Sequence, residues 1–191
     1  AGIPVRYGRY NLEKYFASLA YERIRYWSGC ELPDCTSEDQ VYKDWEEYRR
    51  SGLYLYGAYG SGKTAVGCAV LKYRVLDDLR GGLFLTTHEL LDRMRRAIDG
   101  APDDVLAGAQ TAEVLLLDDI GSERMTDWVR DRLFALINER YNDPCLETIF
   151  TSNLEPAELA AHVGERIAWR IMEMCRPIKL TGNFRKAITS A

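Results

Sequence analysis

The stretch Gly57-Ala58-Tyr59-Gly60-Ser61-Gly62-Lys63-Thr64 stands between an apolar run, Leu53 to Tyr56, and an amphipathic one, Lys63 to Leu79. It satisfies G-x-x-x-x-G-K-[ST], and a strand before it with a helix after it is the context that pattern requires. The glycines let the backbone curl until successive N–H groups point inward, and the start of the helix adds partial positive charge. Such a hollow takes phosphate. Lys63 would reach the outer phosphates of a nucleoside triphosphate, and the Thr64 hydroxyl would ligate Mg²⁺.

Around this segment, short apolar runs alternate with longer helical patterns. Strands are predicted at Leu53 to Tyr56, Leu83 to Thr86, Val114 to Leu117, Thr148 to Thr151 and Ile178 to Leu180. Helices are predicted at Lys63 to Leu79, Glu89 to Ile98, Asp127 to Tyr141, Glu155 to His162 and Glu165 to Met174. Continuously apolar strands separated by helices imply parallel neighbours covered on both faces, because a parallel pair needs a crossover. The fold class is α/β. Residues 1–50 read as an N-terminal arm, Tyr- and Arg-rich over residues 1–29, and helices leading into the core, the second capped by Ser37 and Gln40 and passing through Val41, Trp45 and Tyr48. Residues 51–191 read as the core, in one structural domain, with a soft loop at Gly100 to Asp103.

Composition narrows the partners. With 25 Lys+Arg against 29 Asp+Glu the formal charge is −4, so no global positive field draws the chain onto nucleic acid or anionic lipid. Any such contact is local. The longest purely aliphatic run, Val114 to Leu117, is far short of the roughly 20 residues that span a bilayer, so no membrane is expected. Five scattered cysteines, an odd number, read as reduced thiols of a cytoplasmic protein. Cys30 and Cys35 lack a second ligand pair, since His88 and His162 are isolated, so no zinc cluster is expected. The chain starts with Ala rather than Met, which fits either processing or a piece of a longer protein.

Val114-Leu115-Leu116-Leu117-Asp118-Asp119 supplies a second half for a phosphoryl-transfer site. A buried strand delivers carboxylates to its C-terminal end, where open α/β sheets bind ligands. Asp118 would hold magnesium through water, and Asp119 would polarise the water that attacks the γ-phosphate. Thr151-Ser152-Asn153 ends the next strand in the same way, placing the Asn153 amide between those carboxylates and the γ-phosphate.

The glycine-rich loop, the strand ending in Asp118-Asp119 before Ile120-Gly121, Thr151-Ser152-Asn153, Gly164-Glu165-Arg166 and Gly182-Asn183-Phe184-Arg185 together resemble the AAA+ ATPase domain of DnaC/DnaI-type replicative helicase loaders. The resemblance runs from Ile3-Pro4 to about Lys186. It implies a P-loop fold with a five-stranded parallel sheet in the order 5-1-4-3-2, helices on both faces and no full helical lid. It further implies ATP with Mg²⁺, a DnaB-type replicative helicase as partner, single-stranded DNA, and self-association.

Carried over by resemblance, Asn153 matches sensor 1, Arg170 the arginine finger that enters a neighbour's site, and Arg185 the sensor 2 arginine of its own subunit. Arg166, one turn before Arg170, competes for the finger role. Loaders carry Asp-Asp where many AAA+ proteins have Asp-Glu, which favours a slow, regulated ATPase. The channel-facing loops of the family fall on Thr86 to Arg96 and Gly121 to Trp128 here, offering Arg93, Arg95, Arg96, Arg124 and Trp128 to DNA. The alternatives are an IstB-like transposition ATPase that binds duplex DNA and recruits a transposase, and a metabolic P-loop kinase.

Overall fold

The computed structural model describes residues 52–76, 78–98 and 104–181. The predicted N-terminal arm, the Gly100 to Asp103 loop and Arg185 lie outside the described residues. Among the described residues there are five strands: β1 (Gly52–Tyr56), β2 (Gly82–Thr86), β3 (Val114–Asp118), β4 (Glu147–Ser152) and β5 (Cys175–Lys179). They form one parallel sheet in the order β2-β3-β4-β1-β5, the predicted order read from its other edge. Leu53 lies beside Ile149 and Arg176, and Leu116 beside Ile149 and Phe84, so the apolar runs stack across the sheet.

Six helices complete the described residues: α1 (Lys63–Leu76), α2 (Thr87–Ile98), α3 (Val105–Thr111), α4 (Asp127–Asn142), α5 (Pro156–Val163) and α6 (Glu165–Met174). Side chains along a strand alternate between faces, and β3 uses this directly. Leu115 and Leu117 face a large core with Leu90, Leu133, Leu136, Ile137, Leu159, Ile167 and Ile171, contributed by α2, α4, α5 and α6. Val114 and Leu116 face a smaller core in which α1 supplies Cys68 and Leu71. Both faces are therefore covered, and every residue of β3 and β4 is buried.

Local chemistry sets several boundaries. The Thr126 hydroxyl accepts the Val129 N–H at 3.3 Å and starts α4. Pro156 occupies the first turn of α5, where its missing N–H costs nothing, and the Glu158 carboxylate accepts the Glu155 N–H at 2.8 Å. Gly164, at φ +98°, reverses the chain into α6. Among the described residues no helix is long and apolar enough to cross a membrane.

Most boundaries fall within two residues of expectation, and three features depart further. The last strand is Cys175–Lys179 rather than Ile178 to Leu180, because Gly52 to Tyr56 pairs with the chain three residues earlier, including the polar Arg176 and Lys179. Helix α1 ends at Leu76 rather than Leu79, and Leu79 is exposed in the left-handed region at φ +54°. Helix α3 was not expected: its sequence, VLAGAQT, is short and buries only Val105 and Ala109.

Candidate nucleotide site

The chain leaves β1 at Tyr56 and turns sharply at Gly57, whose φ of +145° and tight surroundings exclude a side chain. A Cβ there would run into the Leu180 carbonyl oxygen, part of a segment tied to β1 by Leu180 N–H donating to Tyr56 O at 2.7 Å. Gly60 and Gly62 also have positive φ, +81° and +90°. The loop closes on itself through Ser61 N–H to Ala58 O, and Val66 N–H to Gly62 O opens α1. Ser61 is buried, and its hydroxyl oxygen has no hydrogen-bond partner among the described residues.

Lys63 is 8% exposed. Its ammonium donates to Gly57 O at 2.8 Å, Ala58 O at 2.9 Å and Asn153 Oδ1 at 2.8 Å. Burial lowers its pKa, and Asp119 and Asp118 oppose that shift by favouring the charge. The other end of the Asn153 amide donates to Asp119 Oδ1 at 2.9 Å. One amide thus bridges the loop lysine and the second acid. This places Lys63, Asn153 and Asp119, which lie on three separate segments of the chain, in one hydrogen-bonded row.

Asp118 is the last residue of β3 and is buried. Desolvation raises its pKa, while hydrogen bonds from Thr151 and Thr64 pull it back. The Thr151 hydroxyl donates to Asp118 Oδ1 at 2.6 Å and accepts the Asp119 N–H at 2.9 Å. Asp119 itself has φ +62°, a conformation non-glycine residues rarely adopt. The turn that follows is closed by Ser122 Oγ donating to Asp119 O, Ile120 N–H to Thr151 O, and Gly121 N–H to Glu123 Oε2 at 3.0 Å.

Glu123 is a half-buried acid that the sequence pattern does not mark. Burial pushes its carboxyl upward, against the hydrogen bonds of its own backbone and of Gly121, and its Oε1 has no partner among the described residues. The His162 ring lies 2.9 Å from the Glu123 carbonyl oxygen. The role of Thr151 was missed as well, although its motif was noticed. A threonine inside an apolar strand carries no sign of where its hydroxyl points, and Glu123 lies in an irregular loop with no periodicity to betray burial.

The donor set fits a triphosphate with a hard cation. Curled backbone, a buried ammonium and an orphaned buried hydroxyl suit phosphate oxygens, and the hydrogen-bonded oxygens of Thr64 and Asp118 suit Mg²⁺.

The remaining candidates lie apart from this row. Arg170 Nε donates to Asn138 Oδ1 at 3.1 Å and Nη1 to Arg166 O at 3.2 Å, and its guanidinium lies 4.8 Å from the Phe134 ring centre and 5.5 Å from that of Tyr141. Arg166 also rests on Phe134, at 4.7 Å. All these partners belong to α4 and α6. Arg93 pairs with Glu89, and Arg95 and Arg96 pair with Asp92, at 3.9 to 4.0 Å along α2. Arg124 is exposed. Trp128 is half-buried against the large core, with the Arg95 guanidinium 5.1 Å from its ring centre.

A parallel sheet in this order, with a glycine-rich loop after β1 and acids at the tip of β3, defines a P-loop ATP-binding domain of the AAA+ type. More narrowly, residues 38–183 match the model of the IstB-like ATP binding protein family, and the chain belongs to that family. It is 32% identical over 154 residues to the replicative helicase loader DnaI of Bacillus subtilis (strain 168), a match covering 74% of this chain and 49% of that one. The chain thus spans about half the length of this curated relative.

Among solved structures, it is similar to the DnaC helicase loader at 27% identity and a TM-score of 0.71, over 93% of this chain and 100% of that one. The replication initiator DnaA bound to AMPPCP and single-stranded DNA matches at 17% identity and a TM-score of 0.70, over 100% of this chain and 55% of that one. That second likeness speaks to the fold alone.

Proposed function

We propose that this chain binds and hydrolyses ATP with Mg²⁺ and helps deliver a DnaB-type replicative helicase onto single-stranded DNA. The observation that carries the reading is the hydrogen-bonded row at the strand tips: Lys63, Asn153 and Asp119, with Asp118 joined to it through Thr151. Resemblance to DnaI and DnaC supplies the biological setting.

In this reading residues 57–64 wrap the phosphates with backbone N–H groups, and Lys63 exchanges its carbonyl partners for β- and γ-phosphate oxygens. Thr64 and Asp118 hold Mg²⁺, Asp118 through water. When bound, the ion neutralises charge that builds on the β- and γ-phosphates. Asp119 accepts a proton from the attacking water, and Asn153, hydrogen-bonded to Asp119 and Lys63 at once, links the state of the phosphate to the acid. Arg170 acts on the site of a neighbouring subunit, and Arg185 acts within its own. A guanidinium suits both tasks, because it stays charged and can bridge two phosphate oxygens.

Arg93, Arg95, Arg96, Arg124 and Trp128 are the proposed DNA contacts. Arg95 already covers the Trp128 ring, so base stacking on that ring requires the guanidinium to move aside.

The test is a pull-down against the host's DnaB-type helicase, alongside ATP turnover with and without single-stranded DNA. Helicase capture and DNA-stimulated turnover are expected. Tight duplex binding without helicase capture would favour the transposition reading instead. Turnover by a monomer on a small-molecule acceptor would favour a kinase.

A further inference from the structure

We propose that Thr151 is the positioning residue that sets both acids of the site through its hydroxyl; this rests on the ATPase reading above. The hydroxyl sits on β4 and crosses to β3. There it donates to Asp118 Oδ1 at 2.6 Å and accepts the Asp119 N–H at 2.9 Å. One oxygen therefore fixes the side chain of the first acid and the backbone of the second.

The second bond has a conformational consequence. Asp119 stands at φ +62°, outside the favoured regions for a residue with a Cβ, and such a state persists only where its surroundings hold it. Its N–H is held by Thr151, and the next N–H, of Ile120, donates to the Thr151 carbonyl at 2.9 Å. Two bonds from one residue thus flank the left-handed turn. That turn aims the Asp119 carboxylate at the Asn153 amide, 2.9 Å away.

The hydroxyl has little freedom to do otherwise. Thr151 is 1% exposed. Its methyl group faces α1, where Cγ2 lies 3.5 Å from the point a Cβ on Gly67 would occupy. A β-branched side chain in a strand has few χ1 choices, and packing the methyl against α1 turns the hydroxyl toward β3. In the sheet, Thr151 also lies beside Leu55 of β1, next to the glycine-rich loop. Loop, acids and Asn153 are thereby referred to one buried side chain.

The experiment compares Thr151→Val, which keeps the shape and removes the oxygen, with Thr151→Ser, which keeps the oxygen. In nucleotide-free protein, amide hydrogen exchange at Asp119 should speed up about tenfold or more in Thr151→Val and stay near the wild-type rate in Thr151→Ser. With ATP and Mg²⁺, Thr151→Val should lower kcat by about tenfold or more with KM little changed, and Thr151→Ser should recover to within about threefold of wild type. Thermal unfolding of each variant confirms that it is folded at the assay temperature.

Unchanged kcat in Thr151→Val overturns the proposal, as does equal loss in both variants, which would make the methyl packing responsible. Wild-type exchange protection at Asp119 in Thr151→Val also overturns it. Failure of the wild-type protein itself to hydrolyse ATP would be a failure of the ATPase reading, and the exchange measurement still decides whether Thr151 holds the turn.

Discussion

Glu123 shows how closely charge is managed beside the site. Its carboxylate takes the Gly121 N–H and closes the turn after Asp119, yet burial makes its charged form costly and raises its pKa. The folded protein therefore holds this proton more tightly than the unfolded chain does. By linkage, the contribution of Glu123 to stability falls as pH climbs from the ordinary carboxylate value through the raised one. Glu123→Gln removes that titration and keeps an oxygen for Gly121. Melting temperatures measured from about pH 4 to pH 8 should show wild type losing ground to Glu123→Gln as pH rises. A constant difference would mean the buried charge is not felt.

At the scale of elements, the tips of β1, β3 and β4 carry the chemistry, and at the other end of the sheet Arg140 ties the start of β4 to the segment that leads into β3. This α4 side chain is 2% exposed and donates to the carbonyl oxygens of Ala109, Ala112 and Glu147 and to Thr148 Oγ1, all at 2.7 to 2.9 Å. Burial lowers its pKa to about 10, so it remains charged at neutral pH. It gathers the end of α3, the body of α4 and the start of β4 at one point. Arg140→Ala should cost about 3 kcal/mol or more, since it leaves several buried acceptors without donors. Urea unfolding would register this as a lower midpoint; a change under about 0.5 kcal/mol would refute the clamp.

The same elements show which features the sequence made legible. Strand–helix alternation and G-x-x-x-x-G-K-[ST] have strong local signals, so the sheet, its parallel sense and the loop at residues 57–64 were readable. Asp118 and Asp119 stand out because they end an apolar run, whereas Asn153, after Thr151 and Ser152, stands out only by its company. Arg140 and Thr151 were not, because a polar residue that turns into a core and one that faces solvent look alike in a linear pattern. Helix α3 was missed for want of length, and β5 was shifted because an edge strand tolerates Arg176, Pro177 and Lys179.

At the scale of the whole molecule, the position of Arg170 matters most. Its partners are Asn138, Arg166, Phe134 and Tyr141, away from the row around Lys63. The proposed action on a second subunit requires the guanidinium to leave these partners. Arg170→Ala should bind ATP nearly as wild type does while hydrolysis falls by on the order of a thousandfold. Mixed with Lys63→Ala, it should regain part of that activity, because one variant supplies the intact loop and the other the arginine. Turnover per subunit should also rise with protein concentration. No recovery on mixing, under conditions where wild type assembles, would remove the trans role.

All of these scales depend on a triphosphate lying in the curl that begins at Gly57. Titration calorimetry with an ATP analogue and Mg²⁺ tests it most directly, comparing wild type with Lys63→Ala. One bound nucleotide per chain for wild type, and affinity lost by about a hundredfold or more in the variant, is the predicted result. Equal affinity in the two proteins would contradict the account.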